Sequence, residues 1–565
     1  MGENSMKIKN IIIGLASFAM AVAAVSCTGA YIDINRAPYG VTDSEMGRDG
    51  YNVRAALVGM MSGVISTDVN TAQFTDVLLG CSLSGYLAPA KDGWNNVTIS
   101  NYNATEDWFR VFMASDRIIP VIYTNYRSLL NATDDANILA VGEIVKVAAM
   151  HRVTDTYGPI PYSKIGQNGE ISVPYDSQEQ VYRLMFEELT AAVNTLKDNL
   201  SIGSFAASAD VIYGGSIEKW IKFANSLKLR LAMRICYADP ELSKQMADEA
   251  INDEVGLMTT NADNAAFSYW GVDGNTLRMS IRYNIATHDD HSVCSTESGD
   301  SHAAAEIVCY MNGYNDPRRP FYFTRTEFDN AQYGEYVGLR HGIQVPSHVA
   351  VGHQYSGVYF TSETAPAYWM NAAEVQFLLA EAAAFKEKGG IAYDVPGSAG
   401  SYYEQGVRLS FEQYGAQGVD EYLQSSEVPD PYIDPAGAFN YSNVVSTITP
   451  AWNVGADFEE MQERIIIQKW IANWLLGCEA WADWRRTGYP RLFPAEYYME
   501  TWGINASNVQ AGARRMPYPR AELTSNAANY AEGVTLLASE SLSGSQDNMA
   551  TRLWFDKKTN HPDYK

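Results

Sequence analysis

Cysteine is scarce in this chain: six in 565 residues, with no close pair to suggest a redox or zinc motif. Apart from Cys27 there are Cys81, Cys236, Cys294, Cys309 and Cys478, an odd number. That excludes a disulfide-stapled scaffold and makes buried, unpaired thiols the expectation. Basic charge is also short. Against 66 acidic residues stand 41 Lys and Arg, for a net charge of −25. Such a field repels phosphate backbones and anionic lipid surfaces, so no nucleic-acid partner is expected. Beyond the leader no apolar run approaches the roughly 20 residues that cross a bilayer. Catalytic signatures are missing as well. Ser82-Leu83-Ser84-Gly85 is no nucleophile elbow, and no Gly-rich phosphate loop occurs. Adjacent acids such as Glu106-Asp107 and Glu459-Glu460 are inevitable among 66 carboxylates and read as solvated surface, not as a glycosidase pair. His288-Asp289-Asp290-His291 offers two imidazoles and a carboxylate, but i,i+3 histidines without a third anchor read as a polar turn.

What is present begins at the N-terminus. Lys7 and Lys9 precede Ile11 to Val25, almost wholly apolar or small, and Ser26-Cys27 follow. A basic start, a short apolar stretch and a small-residue cleavage zone describe a secretory signal. Residues 1–26 are therefore expected to be a signal peptide. Cys27, directly after Ala23-Ala24-Val25-Ser26, is the expected lipidation site of a bacterial lipoprotein, which ties the chain to a membrane. A plain secretory signal is the alternative, since position −3 holds Ala24 where Leu is commoner. Met6 is as good an initiator as Met1.

Hydrophobic content of 46% supports a folded globule. Helical periodicity dominates long windows. Trp108, Phe109, Phe112, Met113, Asp116, Ile119 and Pro120 outline one amphipathic helix, and 140–153 a second. Val181, Tyr182, Met185, Leu189, Val193 and Leu196 repeat at three and four, with Ser177 and Gln180 as a capping box. Trp220 to Ile235, 374–382, 403–411 and Arg464 to Leu475 continue the pattern. These helices fall into pairs near 100–155, 177–237, 366–415 and 456–478, which suggests stacked hairpins as in tetratricopeptide arrays, without a clean sequence repeat. Segments 40–100, 240–365 and 425–455 are rich in Gly, Asn, Asp, Ser and Tyr and are expected to be loops that carry function.

Six short motifs punctuate this pattern: Tyr157-Gly158-Pro159-Ile160-Pro161-Tyr162, Trp220 to Arg230, Asn315-Asp316-Pro317-Arg318, Met370 to Val375, Trp481 to Pro490, and Arg515-Met516-Pro517-Tyr518-Pro519. In this order, after a lipoprotein signal, they resemble the SusD/RagB family of Bacteroidetes outer-membrane lipoproteins. The resemblance implies a mainly α fold, with four tetratricopeptide-like helix pairs as scaffold and a large irregular loop-rich region, in one domain over residues 27–565. It implies a partner, a SusC-like TonB-dependent outer-membrane transporter for which the lipoprotein acts as lid, and a cell-surface position. It implies binding without catalysis: capture of an oligosaccharide and its delivery to the transporter. The alternatives are a peptide-uptake lipoprotein of the RagB type and a lipid-anchored glycoside hydrolase. The motifs themselves read as scaffold, with Asn225 and Arg230 as buried donors and Asp483 pairing Arg485 or Arg486 to staple the last helix to the C-terminal segment.

A sugar ring stacks its C–H face on Trp or Tyr and needs Asp, Asn or Arg for its hydroxyls. The loop-rich segments supply these types, and the expected ligand contacts are Asn52, Asp76, Tyr86, Trp94, Trp270, Arg340, Tyr355 and Tyr368, with Trp94 foremost. No cofactor is expected. Acid-rich loops such as 254–264 could hold a structural calcium, a solvated loop being the favoured alternative.

Overall fold

Short polar side chains set most of the helix starts in the computed structural model, which describes residues 50–90, 98–114, 118–166, 172–268, 301–346, 351–359 and 366–562. Residues from Val53 onward form one compact unit. Of the preceding unit only Gly50, Tyr51 and Asn52 are described, and the last two open helix α1 (Tyr51–Val64). α2 (Ile118–Ala132) and α3 (Ala136–Tyr157) form the first hairpin, and Asp135 caps α3 by accepting from the N–H of Asn137 at 2.9 Å. α4 (Gln178–Asp198) and α5 (Ile217–Arg234) form the second, capped by Ser177 and Ser216. α6 (Pro240–Ile251) packs back on α5, and α7 (Ala305–Gly313) follows. α8 (Ala372–Ala384) and α9 (Ala399–Tyr414) make the third hairpin, capped by Asn371 and Ser398. α10 (Phe458–Ala472), capped by Asp457, packs on α8, α11 (Gly477–Thr487) follows it, and α12 (Ala527–Glu540) lies against α4. Four short strands complete the order: β1 (Leu87–Pro89), β2 (Ala265–Phe267), β3 (Ser301–Ala303) and β4 (Ala367–Met370), paired antiparallel as β1–β3 and β2–β4.

The structure departs from the periodicity in three places. The helix expected from Trp108 to Pro120 is a single turn, Glu106–Phe109, and α2 begins only at Ile118, with Pro120 in its first turn, where a missing N–H costs nothing. Segment 40–100 contains α1 and a π-helical stretch, Gln73–Cys81. In α1, Gly59 and Gly63 are not loop residues. A Cβ at Gly59 would lie 2.6 Å from Asn125, so glycine lets α1 lie close on α2. Segment 240–365 contains α6 and α7, and Asp239-Pro240 is a complete start signal for α6: Asp239 accepts from Leu242 N–H at 3.0 Å and Pro240 occupies the first turn.

The sequence motifs converge inside. Tyr518 stacks on Tyr157 at 6.0 Å and donates to the Pro159 carbonyl at 2.6 Å, while Arg515 Nε donates to the Tyr157 carbonyl at 3.0 Å. Arg318 forks Asp316 and lies over the ring of Phe411 at 4.8 Å, all without solvent contact. Arg230 forks Glu374, and Asn225 Nδ2 donates to the Gly256 carbonyl. Glu479 takes Arg234 at 2.5 Å and His151 at 2.6 Å. Arg486 reaches Asp483 at 3.1 Å, but its bidentate partner is Glu381 of α8, so this pair staples α11 to α8 rather than to the C-terminal segment. Arg485 makes that other link through the Arg514 carbonyl.

Burial alone would raise the carboxyls of this network. Arg230, Arg234 and His151 instead hold Glu479 well below the usual range, and Lys469 and Arg486 hold Asp483 at about 2. Groups lowered in the fold stabilise it fully above their unfolded values, and that contribution is lost as pH falls through the folded ones. Asp155 has the opposite sense: burial raises it despite Arg234, and protonation relieves it. The melting temperature is therefore expected to hold or rise slightly on mild acidification and to fall steeply below about pH 4, with Asp483 alone accounting for about 2 kcal/mol. Thermal melts at closely spaced pH values check this, and a flat profile down to pH 2 would contradict it.

Candidate ligand-binding face

β1 and β3 align Ala88 with His302. The ladder widens where Ala303 N–H donates to the Ser356 carbonyl (3.0 Å), Leu339 N–H to the Ala303 carbonyl (2.9 Å), and Ser356 N–H to the Val337 carbonyl (2.8 Å). One side of this patch buries a small core of its own: Ala88, Ala90, Ala304, Val337, Leu339, Ile343 and Tyr355. Phe328, Tyr333 and Phe439 lie on that core only half-buried. Phe328 meets the Tyr355 ring edge-on at 5.0 Å and the Tyr333 ring at 5.9 Å, giving a partly exposed aromatic ledge.

The ledge is held by polar groups beneath it. Tyr355 donates its hydroxyl to Asp434 Oδ1 at 2.7 Å, and burial beside Asp434 raises that phenol well above its ordinary value. Asp434 also accepts from the N–H groups of Ala436 and Phe439, both at 3.1 Å, which winds 434–439 into a turn and sets Phe439 in place. Arg340 donates to the carbonyls of Phe439 (3.0 Å) and Pro494 (2.8 Å) and lies beneath the rings of Tyr441 and Phe493. Half-exposed aromatics on a largely hydrogen-bonded floor suit a ring-stacking ligand, because such a platform reorganises little on binding.

Of the expected contacts, Arg340 and Tyr355 meet on this face, but both side chains are buried and support the ledge. Asp76 lies in the π-helical stretch, ion-paired with Arg152 and 3% exposed. Tyr86 has no exposure; it stacks on Trp470 at 5.5 Å and donates to the Trp470 carbonyl at 2.5 Å. Those four side chains are internal supports in this fold, their polar atoms engaged except for Arg340 Nε, which is buried without a partner. Tyr368 is half-buried in β4, and Asn52 half-buried at the start of α1. Trp94, Trp270 and Cys27 lie outside the described residues, as does His288-Asp289-Asp290-His291. Phe328, Tyr333 and Phe439 were not anticipated. The usable signal was a large aromatic set among Asp, Asn and Gly, as in Phe328-Asp329-Asn330-Ala331-Gln332-Tyr333.

Among the described residues no three His, Cys, Asp or Glu side chains group as metal ligands. In 254–264, Asp263 accepts from the N–H groups of Thr259 and Thr260, and Glu254 pairs with Lys197, so both acids cap or bridge the local chain. Cys81, Cys236, Cys309 and Cys478 are buried and unpaired, and burial raises each thiol.

A helical array with an irregular, aromatic-faced loop region defines a binding protein class. The chain belongs to the SusD-like family, the Susd and RagB outer membrane lipoproteins, which match it over residues 33–556, and its place is accordingly the outer membrane, by a lipid anchor. It is similar to the crystal structure of a SusD homologue from Bacteroides uniformis, with 50% identity and a TM-score of 0.81 over 90% of this chain and 100% of that one. A chitin-binding SusD homologue from Flavobacterium johnsoniae is similar at 32% identity and a TM-score of 0.79, over 91% of this chain and all of that chain. A SusD homologue from Bacteroides thetaiotaomicron gives 36% and 0.78, over 90% and 99%. No curated protein matches the chain.

Proposed function

We propose that this protein is a cell-surface glycan-binding lipoprotein that captures oligosaccharides and delivers them to a SusC-like TonB-dependent transporter, over which it acts as a lid. The observation that carries the reading is likeness over residues 33–556 to a family with a chitin-binding member. The half-exposed ledge of Phe328, Tyr333 and Phe439 supports it, because stacked rings are what a pyranose face requires. In this reading Asp76, Tyr86, Arg340 and Tyr355 hold the binding face from within. Ligand contact falls to the ledge and to Trp94 and Trp270, with the anchor at Cys27. No catalytic role is assigned to any residue.

The test is a glycan array run beside a peptide panel, with transporter co-purification from outer membranes as a second arm. Trp94→Ala is expected to weaken the strongest glycan roughly tenfold or more, the usual scale for a stacking platform. Peptide binding with no sugar signal would replace this reading with the peptide-uptake one. Release of reducing ends from a polysaccharide, abolished by removing one carboxylate, would replace it with a hydrolase.

A further inference from the structure

Away from the ledge, the helical array carries a cleft of about 800 Å³ between α2, α4, the turn after Pro161 and residues 522–526. None of these elements contributes to the aromatic ledge. Volumes of this order match small-molecule sites, about 300–1,000 Å³. Along α2 the residues Ile119, Tyr123, Tyr126 and Leu130 recur at four, three and four, so they share one helix face. That face opens progressively: Ile119 is buried, both tyrosines are half-buried, and Leu130 is 46% exposed.

The cleft floor is electrically self-contained. Lys146 lies between Glu143 (2.7 Å) and Glu188 (2.9 Å) and 5.2 and 5.4 Å from the ring centres of Tyr126 and Tyr162. Tyr126 and Tyr162 donate to Glu143 and Glu188 in turn, and Tyr123 donates to the Tyr162 carbonyl at 3.0 Å. Lys146 is already held by two carboxylates, and the Arg127 guanidinium on the cleft wall donates to the Gly166 carbonyl, so both cations of the cleft have a partner within it. Besides Arg127, the cleft wall carries neutral polar groups. Thr124 and Asn131 have side chains without hydrogen-bond partners among the described residues. Glu522 directs Oε2 to Tyr175 (2.8 Å) and Asn526 (2.9 Å), leaving Oε1 available. A hydroxyl, an amide and one carboxylate oxygen beside two half-open phenol rings are the donors, acceptors and apolar faces that a neutral sugar uses.

We infer that this cleft is a second saccharide site, for an uncharged glycan segment, stacked on Tyr123 and Tyr126 and hydrogen-bonded through Asn131, Thr124 and Glu522. It rests on the glycan reading above for its ligand class. Two sites on one chain would let one polysaccharide strand be held by the array while its end occupies the ledge, raising effective concentration there.

Equilibrium dialysis of the intact protein with the strongest neutral hexasaccharide of the array tests it, using Leu130→Arg to fill the cleft mouth and Trp94→Ala for the other face. Tyr123→Ala is the second cleft variant, and unchanged melting temperatures certify Leu130→Arg as folded. Two sugars per wild-type chain, one left by each single variant and none by their combination, is the expected result. One sugar per chain, lost with Trp94→Ala and untouched by Leu130→Arg and Tyr123→Ala, would overturn the cleft and leave the ledge reading standing. One sugar, lost only with the cleft variants, would support the cleft and count against Trp94. Displacement of nothing but peptide from the cleft would overturn it as well.

Discussion

Glu381→Ala is expected to destabilise the protein by about 3–5 kcal/mol, the scale for stripping one partner from a buried ion pair. Arg486 Nη1 and Nη2 lie 2.7 and 2.8 Å from the two oxygens of Glu381, and neither side chain has any solvent exposure. Gln462 Nε2 adds a third donor to the same carboxylate at 2.7 Å. Without Glu381 the guanidinium keeps Asp483 at 3.1 Å, but that carboxylate already serves Lys469 at 2.8 Å. Water cannot reach Arg486 to compensate, so most of the loss is the penalty of an unpaired buried charge rather than the worth of the pair. The double variant Glu381→Met with Arg486→Met should therefore recover much of the stability. Melting temperatures of the three variants measure this, and a single-variant loss below 1 kcal/mol would show that the pair is not isolated from solvent.

That pair also marks where sequence reasoning stopped. Helices with caps and clear periodicity were legible: Ser177 before α4, Ser216 before α5, and the apolar recurrence of α10. Hydrogen-bond partners across the array were not, because Glu381 and Arg486 are 105 residues apart and nothing local couples them. Asp483, three residues from Arg486, was the partner a local reading finds. α1 was hidden by Gly59 and Gly63, which look like loop residues until α2 is set against them. α6 carried a full start signal in Asp239-Pro240, which the surrounding Asn- and Gly-rich composition outweighed.

The candidate site was legible by residue type and not by exposure. Aromatic and polar side chains in loops were the class sought, yet Tyr86 and Asp76 occur in such a stretch and are internal. Their burial follows from the π-helical stretch Gln73–Cys81, which turns Asp76 inward to Arg152 and leads β1 over Trp470. Periodicity at 3.6 residues does not register a π-helix, so a sequence reading takes such residues as loop and assigns them to the surface. Phe328, Tyr333 and Phe439 escaped because only the turn around Asp434 brings 439 onto the same small core as 328.

The same stretch supports the second large effect: Gly477→Ala is expected to destabilise the fold beyond the about 1–3 kcal/mol usual for an overpacked core, and to weaken glycan binding with it. A Cβ at Gly477 would lie 2.1 Å from Cys81 N and 2.3 Å from Gly80 C, both backbone atoms that no rotamer change can move. Gly80 presents the reciprocal contact, its Cβ position falling 2.7 Å from Cys478 N. Two glycines thus let α11 and the π-helical stretch touch backbone to backbone, and one methyl must part them. Parting them strains the Arg152–Asp76 pair and the Cys478–Thr75 contact, and it displaces β1, which follows the stretch directly and forms half of the ladder under the candidate face. Gly455→Ala is the matched control, since its nearest neighbour there is a side-chain oxygen of Asn453 at 3.4 Å. Melting and glycan binding measured on both variants separate the outcomes: Gly477→Ala should lose both, Gly455→Ala neither, and a Gly477→Ala protein with wild-type melting would show that this contact is looser than the backbone distances require.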